Sequence, residues 1–251
     1  MSADITGHLA PGKVARVTGG LYLAYIAASV LASMLGQIGL GDAPHIYQAI
    51  VTDEGSFRLG LVVALLTGLL FVLTAWGLYV LLRPVNADLA LLFLVLNAVG
   101  VAIQAASMLG LVSALLQGAV DSHMQAFSAA QMQGLAYLSI DVYKTGWVTA
   151  QLFFGAWLFP LGYLVYKSRF LPRFLGVLLL LDGVAVAIWF LQALLLPDYP
   201  AIRYPGLALS FIAELGLALW LLIKGVRVVD SRAGLAGEQR DTDPRAEGMS
   251  R

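Results

Sequence analysis

The sequence predicts an all-α fold, a polytopic membrane bundle of six transmembrane helices with both termini cytoplasmic. Three observations point to it. The 251-residue chain is 60% hydrophobic and only 12% charged, against about a quarter charged in globular domains. Apolar runs long enough to cross a bilayer recur six times, and the basic residues are divided very unequally between the loops that join them.

The runs occupy 17–40, 59–82, 89–116, 145–166, 174–196 and 204–223, each at or near the roughly 20 residues that a helix needs to cross about 30 Å of hydrocarbon. The first follows Lys13 and Arg16; it exceeds the 7–15 apolar residues of a signal peptide and is read as a span. Residues 83–88 and 167–173 are short turns carrying Pro84 and Pro172, which stop a helix from running through. The second and third spans, and the fourth and fifth, should therefore form hairpins. The longer connections at 44–51 and 125–137 are expected as short interfacial helices or solvated loops, with Tyr47, Phe127 and Tyr137 as aromatic anchors. Residues 1–16 form a polar lead, 17–229 the transmembrane domain, and 230–251 a charged, Gly- and Ala-rich tail expected to be disordered.

Of the fifteen Lys and Arg residues, only Arg58, Lys144 and Arg203 fall on one side of a six-span arrangement. The excess on the other side puts both termini in the cytoplasm. Zero net charge leaves no basic excess for nucleic acid. The absence of cysteine removes thiolate chemistry. His8, His45 and His123 all lie outside the spans, so no intramembrane bis-His haem, His-based zinc site or Ser–His protease is expected. No cofactor, metal site or catalytic residue is assigned, and an enzyme is the less favoured class.

Two carboxylates interrupt the apolar runs. Asp182 lies nine residues beyond Arg173, and Glu214 ten residues before Lys224; at 1.5 Å per residue both are about 14–15 Å deep. An ionised group there costs roughly 2.5–3.5 kcal/mol on insertion scales, whereas intramembrane hydrogen bonds average about 0.6 kcal/mol. A purely structural pair gains little against that cost. Two acids meeting in a low dielectric resist ionising together, so the pair is suited to hold a proton or a cation.

Other polar residues fall on shared helical faces. Asn97, Gly100, Gln104 and Ser107 form one on the third span, and Asp182, Ala185, Trp189 and Gln192 one on the fifth. On the sixth, Glu214 belongs to the row Gly206, Ser210, Glu214, Ala218, and Thr149 and Gln151 lie in the outer half of the fourth. Asp182, Glu214, Asn97, Gln104, Gln192 and Trp189 are the candidate intramembrane site, a cleft with an acidic floor that opens outward. Of the tryptophans only Trp189 shares a polar face; Trp76, Trp147, Trp157 and Trp220 are expected at span ends or facing lipid. Asp141 and Lys144 are spaced for a surface ion pair, and Arg58 marks the interface.

Small residues recur every fourth position on the first span (Gly20, Ala24, Ala28, Ala32, Gly36) and on the third (Ala98, Ala102, Ala106, Gly110, Ala114, Gly118). These are expected packing seams, within one bundle or between two copies in a homo-oligomer. Residues 92–103 (LFLVLNAVGVAI) also align with 177–188 (VLLLLDGVAVAI), setting Asn97 over Asp182. Such a parallel repeat occurs in transporters, and chance similarity between two apolar runs gives the same alignment.

The stretches LYVLLRPVNADLALL (78–92) and LGYLVYKSRFLPRFLGVLLLLDG (161–183), with ARVTGGLYL (15–23) and FRLGLVV (57–63), resemble a bacterial family of multi-pass membrane proteins known only as a domain of unknown function, number 4386. The resemblance runs from about residue 15 to about 224. It implies an inner-membrane protein and carries over no binding or catalytic residue. Two function classes stand: a transporter or sensor linked to a proton or cation, or a small amphiphile, through the acidic pair; and a non-catalytic scaffold that binds lipid or a partner helix. The lipid bilayer is the expected partner in both.

Overall fold

A computed structural model describes residues 11–39, 41–118 and 127–226; the expected tail at 230–251 and most of the polar lead lie outside them. The described residues form eight α-helices and no strand: α1 (Pro11–Gly36), α2 (Ala43–Thr52), α3 (Glu54–Leu82), α4 (Ala87–Ser107), α5 (Leu109–Gly118), α6 (Ala129–Lys167), α7 (Arg173–Leu195) and α8 (Arg203–Ile223), the last led in by a 3-10 turn, Pro200–Ile202. Six helical segments are long and apolar enough to cross a membrane: α1, α3, α4 with α5, α6, α7 and α8 with its lead-in turn. Hydrocarbon offers no partner for backbone N–H and C=O groups, so spans of this composition are driven to helix. The chain is a multi-pass membrane protein.

Helix starts follow local side-chain chemistry. The Asp42 carboxylate accepts from the His45 backbone N–H at 2.9 Å and caps α2. Asp53 accepts from the Ser56 N–H (2.9 Å) and hydroxyl (2.7 Å) and caps α3; Asn86 accepts from the Leu89 N–H at 2.9 Å and caps α4. These bonds satisfy donors that the first turn leaves free. They favour the ionised carboxyl, so Asp42 and Asp53 are held below the ordinary carboxylate value, the His45 and Ser56 backbone bonds respectively being the main cause.

Both expected hairpins form, α3 on α4 and α6 on α7. The remaining contacts, α1 with α3, α4 with α6, α7 with α8 and α8 with α1, close the six spans into a ring. Helices α2 and α5 pack at one end, where Ile46, Ile50, Phe57, Leu111, Ile140 and Tyr143 make a buried apolar cluster. The opposite, basic end carries the turns at 83–86 and 168–172 and the outer ends of α1 and α8.

Several expectations are corrected. The third span breaks at Met108, whose N–H bonds the carbonyls of Ala105 and Ala106 and ends α4. The connection expected at 125–137 is instead, from Ala129, the first part of the 39-residue α6, started by a capping box between Ser128 and Gln131; 125 and 126 lie outside the described residues. Helix α1 begins at Pro11, before the expected start. Within the single chain the small-residue stripes are not continuous seams, which leaves their exposed members to the other alternative, contact between two copies. Ala32, Gly36, Gly110 and Ala114 are buried, but Ala24, Ala102 and Ala106 are exposed in the chain, and the end of α4 at Met108 interrupts the stripe of the third span.

Close approach is concentrated elsewhere. A Cβ added at Gly19 would lie 2.5 Å from the Leu222 nitrogen and 2.8 Å from the Ala218 oxygen, so α1 touches the backbone of α8 there. At Gly176 it would lie 2.6 Å from the Tyr166 nitrogen and 2.7 Å from the Gly162 oxygen, seating α7 on α6. Dispersion between near-touching backbones holds membrane helices together where no hydrophobic drive exists between them. Gly176→Ala should therefore lower stability by about 1–3 kcal/mol, while Gly20→Ala, with nothing within 4 Å of the new methyl, should be neutral or stabilise by up to about 1 kcal/mol. Thermal melts of the two variants in detergent check this; equal melting temperatures would remove the assigned contact.

Candidate functional site

The ring holds a partly open chamber of about 270 Å³ with contributions from all six spans. Tyr25, Ile26 and Ser29 come from α1, Phe71 from α3, Gln104 from α4, Gln151, Phe154 and Trp157 from α6, Trp189 from α7, and Ser210 and Glu214 from α8. A second cavity, about 640 Å³, lies at the α2 end and is lined by Asp42, Asp141, Lys144, Gln192 and Arg203 among others. Trp147 and Trp189 line both. They stand at the boundary between this second cavity, a vestibule at the α2 end, and the chamber.

Helix α8 organises the polar wall through its small-residue row. Gly206 faces Ala185 of α7, with 3.2 Å from an added Cβ to the Ala185 methyl carbon, and Ala218 lies against Gly19 of α1. Between these contacts the Ser210 hydroxyl donates to Asp182 Oδ1 across the α7–α8 seam. Asp182 is fully buried. Glu214, one turn further along α8 and only partly buried, stands on the chamber wall. Its electrostatic neighbours are Asp182 and the hydroxyl of Tyr22.

The six candidate residues divide by placement. Glu214, Gln104 and Trp189 line the chamber, and Gln192 and Trp189 the vestibule. Asp182 sits behind the chamber wall and meets it through Ser210. Asn97 is fully buried and lines neither cavity. Gln192 also donates to the Leu196 carbonyl at 3.0 Å and so ties down the end of its own helix. Of the remaining polar residues, Gln151 lines the chamber, Ser107 packs against Gly146 of α6, and Thr149 is exposed and bonds the Thr145 carbonyl at 2.8 Å.

Two readings are corrected. Trp157 lines the chamber rather than a span end or the lipid, and it is fully buried where Phe71 and Phe93 pack on it edge-on; a lone tryptophan in an apolar run carries no facing signal. Asp141 and Lys144 form no ion pair and instead face the vestibule. Among the described residues Arg58 pairs with Glu54 at 2.7 Å, and the His45 ring Nδ1 lies at hydrogen-bond distance from Asp42. Tyr22 and Tyr25 were absent from the sequence expectation. Their signal was present, as two tyrosines three residues apart within the first span, with Ser29 four residues after Tyr25.

Asp182 Oδ2, both polar side-chain atoms of Asn97 and the Tyr22 hydroxyl are buried without a hydrogen-bond partner. Each such group costs about 1–3 kcal/mol. Their concentration in the interior of one ring marks it as a polar site within an apolar bundle.

The family model described as "Domain of unknown function (DUF4386)" matches residues 17–225. An "Uncharacterized protein" of Archaeoglobus fulgidus is 37% identical over 79 residues, which is 30% of this chain and 43% of that one. The chain thus spans less than half the length of this curated relative. No solved structure matches.

If the Ser210 bond holds Asp182 in place, Ser210→Ala should destabilise the protein by about 0.5–2 kcal/mol and do so much less in an Asp182→Ala background. A double-mutant cycle by thermal or chemical denaturation measures this; additive single and double values would mean that the bond contributes nothing.

Proposed function

This chain belongs to the DUF4386 family, whose description names no activity, and from its geometry we propose that it is an inner-membrane protein that moves or senses a proton or cation through Glu214 and Asp182. The observation that carries the reading is the position of Glu214. Its carboxyl stands on the wall of a chamber at about 15 Å depth, with a second carboxylate held one helix away by Ser210.

In this reading Glu214 is the group that exchanges its proton with the chamber, while Asp182, sealed from both cavities, sets the field that Glu214 feels. The titratable groups around Glu214 are Asp182, Tyr22 and Tyr25; no basic residue lines the chamber. Access runs from the vestibule past Trp147 and Trp189. With the basic end in the cytoplasm, the vestibule faces outward.

Full-length protein in liposomes with an imposed pH gradient, followed by an internal pH dye, tests the reading. Wild type should dissipate the gradient, and Glu214→Gln and Asp182→Asn should each fall to the rate of protein-free vesicles. Wild-type rates in both variants would remove the mechanism. The second reading, a scaffold for a partner helix, draws on the outward small residues Gly20 and Ala24 of α1; it is favoured if Ala24→Leu abolishes association with another chain while the acid variants do not.

A further inference from the structure

The chamber has a chemical bias that narrows what Glu214 faces. Tyr25 stacks on Phe71 with centroids 4.3 Å apart and planes 10° from parallel. Phe71 in turn packs at 5.4 Å from Phe154 and edge-on at 5.1 Å to Trp157. These four rings form one continuous aromatic cluster on the chamber side, with Phe71 and Trp157 nearly fully buried within it and Tyr25 the least buried, and the single ionisable carboxylate on the lining is Glu214. Resting on the reading of this chamber given above, we propose that its ligand is a small organic monocation with an apolar body, of the substituted-ammonium class, held between the aromatic cluster and the Glu214 carboxylate.

Each property of the chamber favours that class. Aromatic faces attract cations, most strongly where water is excluded. A hard metal ion requires six or more oxygens and favours several carboxylates, and here the lining offers one carboxylate, Glu214. An anion would meet Glu214 with no Lys, Arg or His on the wall to offset it. At about 270 Å³ the space is below the roughly 300–1,000 Å³ of sites for drug-sized ligands, so the cation is small. Val30 and Phe211, on α1 and α8, line the chamber and are also 49% and 54% exposed on the bundle surface. The chamber wall there is shared with the lipid-facing side, which suits a ligand that carries an apolar body.

Titration calorimetry of the full chain in uncharged dodecyl maltoside micelles tests the class with defined probes. Benzyltrimethylammonium, whose charge does not change with pH, should bind; choline should bind more weakly, and its uncharged isostere 3,3-dimethylbutan-1-ol should not bind. An excess of potassium chloride, beyond its ionic-strength effect as matched by lithium chloride, should not displace the probe. Glu214→Gln should weaken benzyltrimethylammonium by about tenfold or more and Phe71→Leu by about 2–30-fold. The wild-type comparison of choline with its isostere does not depend on any variant folding. Equal binding of that pair, specific displacement by potassium, absence of benzyltrimethylammonium binding, or equal affinity in Glu214→Gln overturns the proposal. Acid-dependent proton flux without benzyltrimethylammonium binding would remove the ligand class alone. Glu214-dependent binding without acid-dependent flux would remove the proton reading alone.

Discussion

Closure of the ring at Gly19 is the contact on which the interior depends. Six apolar helices in a bilayer have no hydrophobic reason to prefer one another over lipid tails, so they associate where their backbones come close enough for dispersion to accumulate. The missing side chain at Gly19 lets α1 lie against the backbone of α8 at Ala218 and Leu222. This joins the first span to the last and turns a row of hairpins into a closed wall. Without it, Tyr25 and Ser29 of α1 would have no fixed relation to Ser210 and Glu214 of α8, and the chamber between them would be a surface of two separate helices.

The wall is uneven by design of its residue sizes. Glycine and alanine seat α8 on α1 near the basic end and on α7 at Gly206 and Ala185, while aromatic side chains of α1, α3 and α6 occupy the middle of the ring. Rings are rigid and pack edge-on or offset, so they leave space that flexible aliphatic side chains would fill. The polar residues of α8 face that space. Ser210 takes Asp182 across the seam, and Glu214 is left to the chamber.

The energetics of this arrangement separate the two acids. A single hydrogen bond, about 0.6 kcal/mol on average between membrane helices, does not offset the several kcal/mol of placing a carboxylate at mid-depth. Asp182 Oδ2 has no partner at all, and Asn97 has none for either polar atom. The bundle carries these costs where its helices also line a chamber, and the lining that holds Glu214 also holds aromatic rings.

Span number and hairpin pairing were set by the sequence alone, because a helix rises a fixed distance per residue and hydrocarbon tolerates no unpaired backbone. Pro84 and Pro172 likewise located the turns from local sterics, and YKSRFLPRFLG pointed to the family that the match over 17–225 establishes. The extension of α6 back to Ala129 was hidden by polar residues such as Gln131 and Gln133, which a hydropathy run excludes but an exposed helix end accepts. The placement of Trp157 inside rather than in lipid, the contribution of Tyr22 and Tyr25, and the failure of the alanine and glycine stripes to act as continuous seams were decided only by tertiary structure. In a membrane both the inside and the outside of a bundle are apolar, so the pattern of side chains along one helix does not say which face turns inward; that is fixed by where neighbouring backbones can approach.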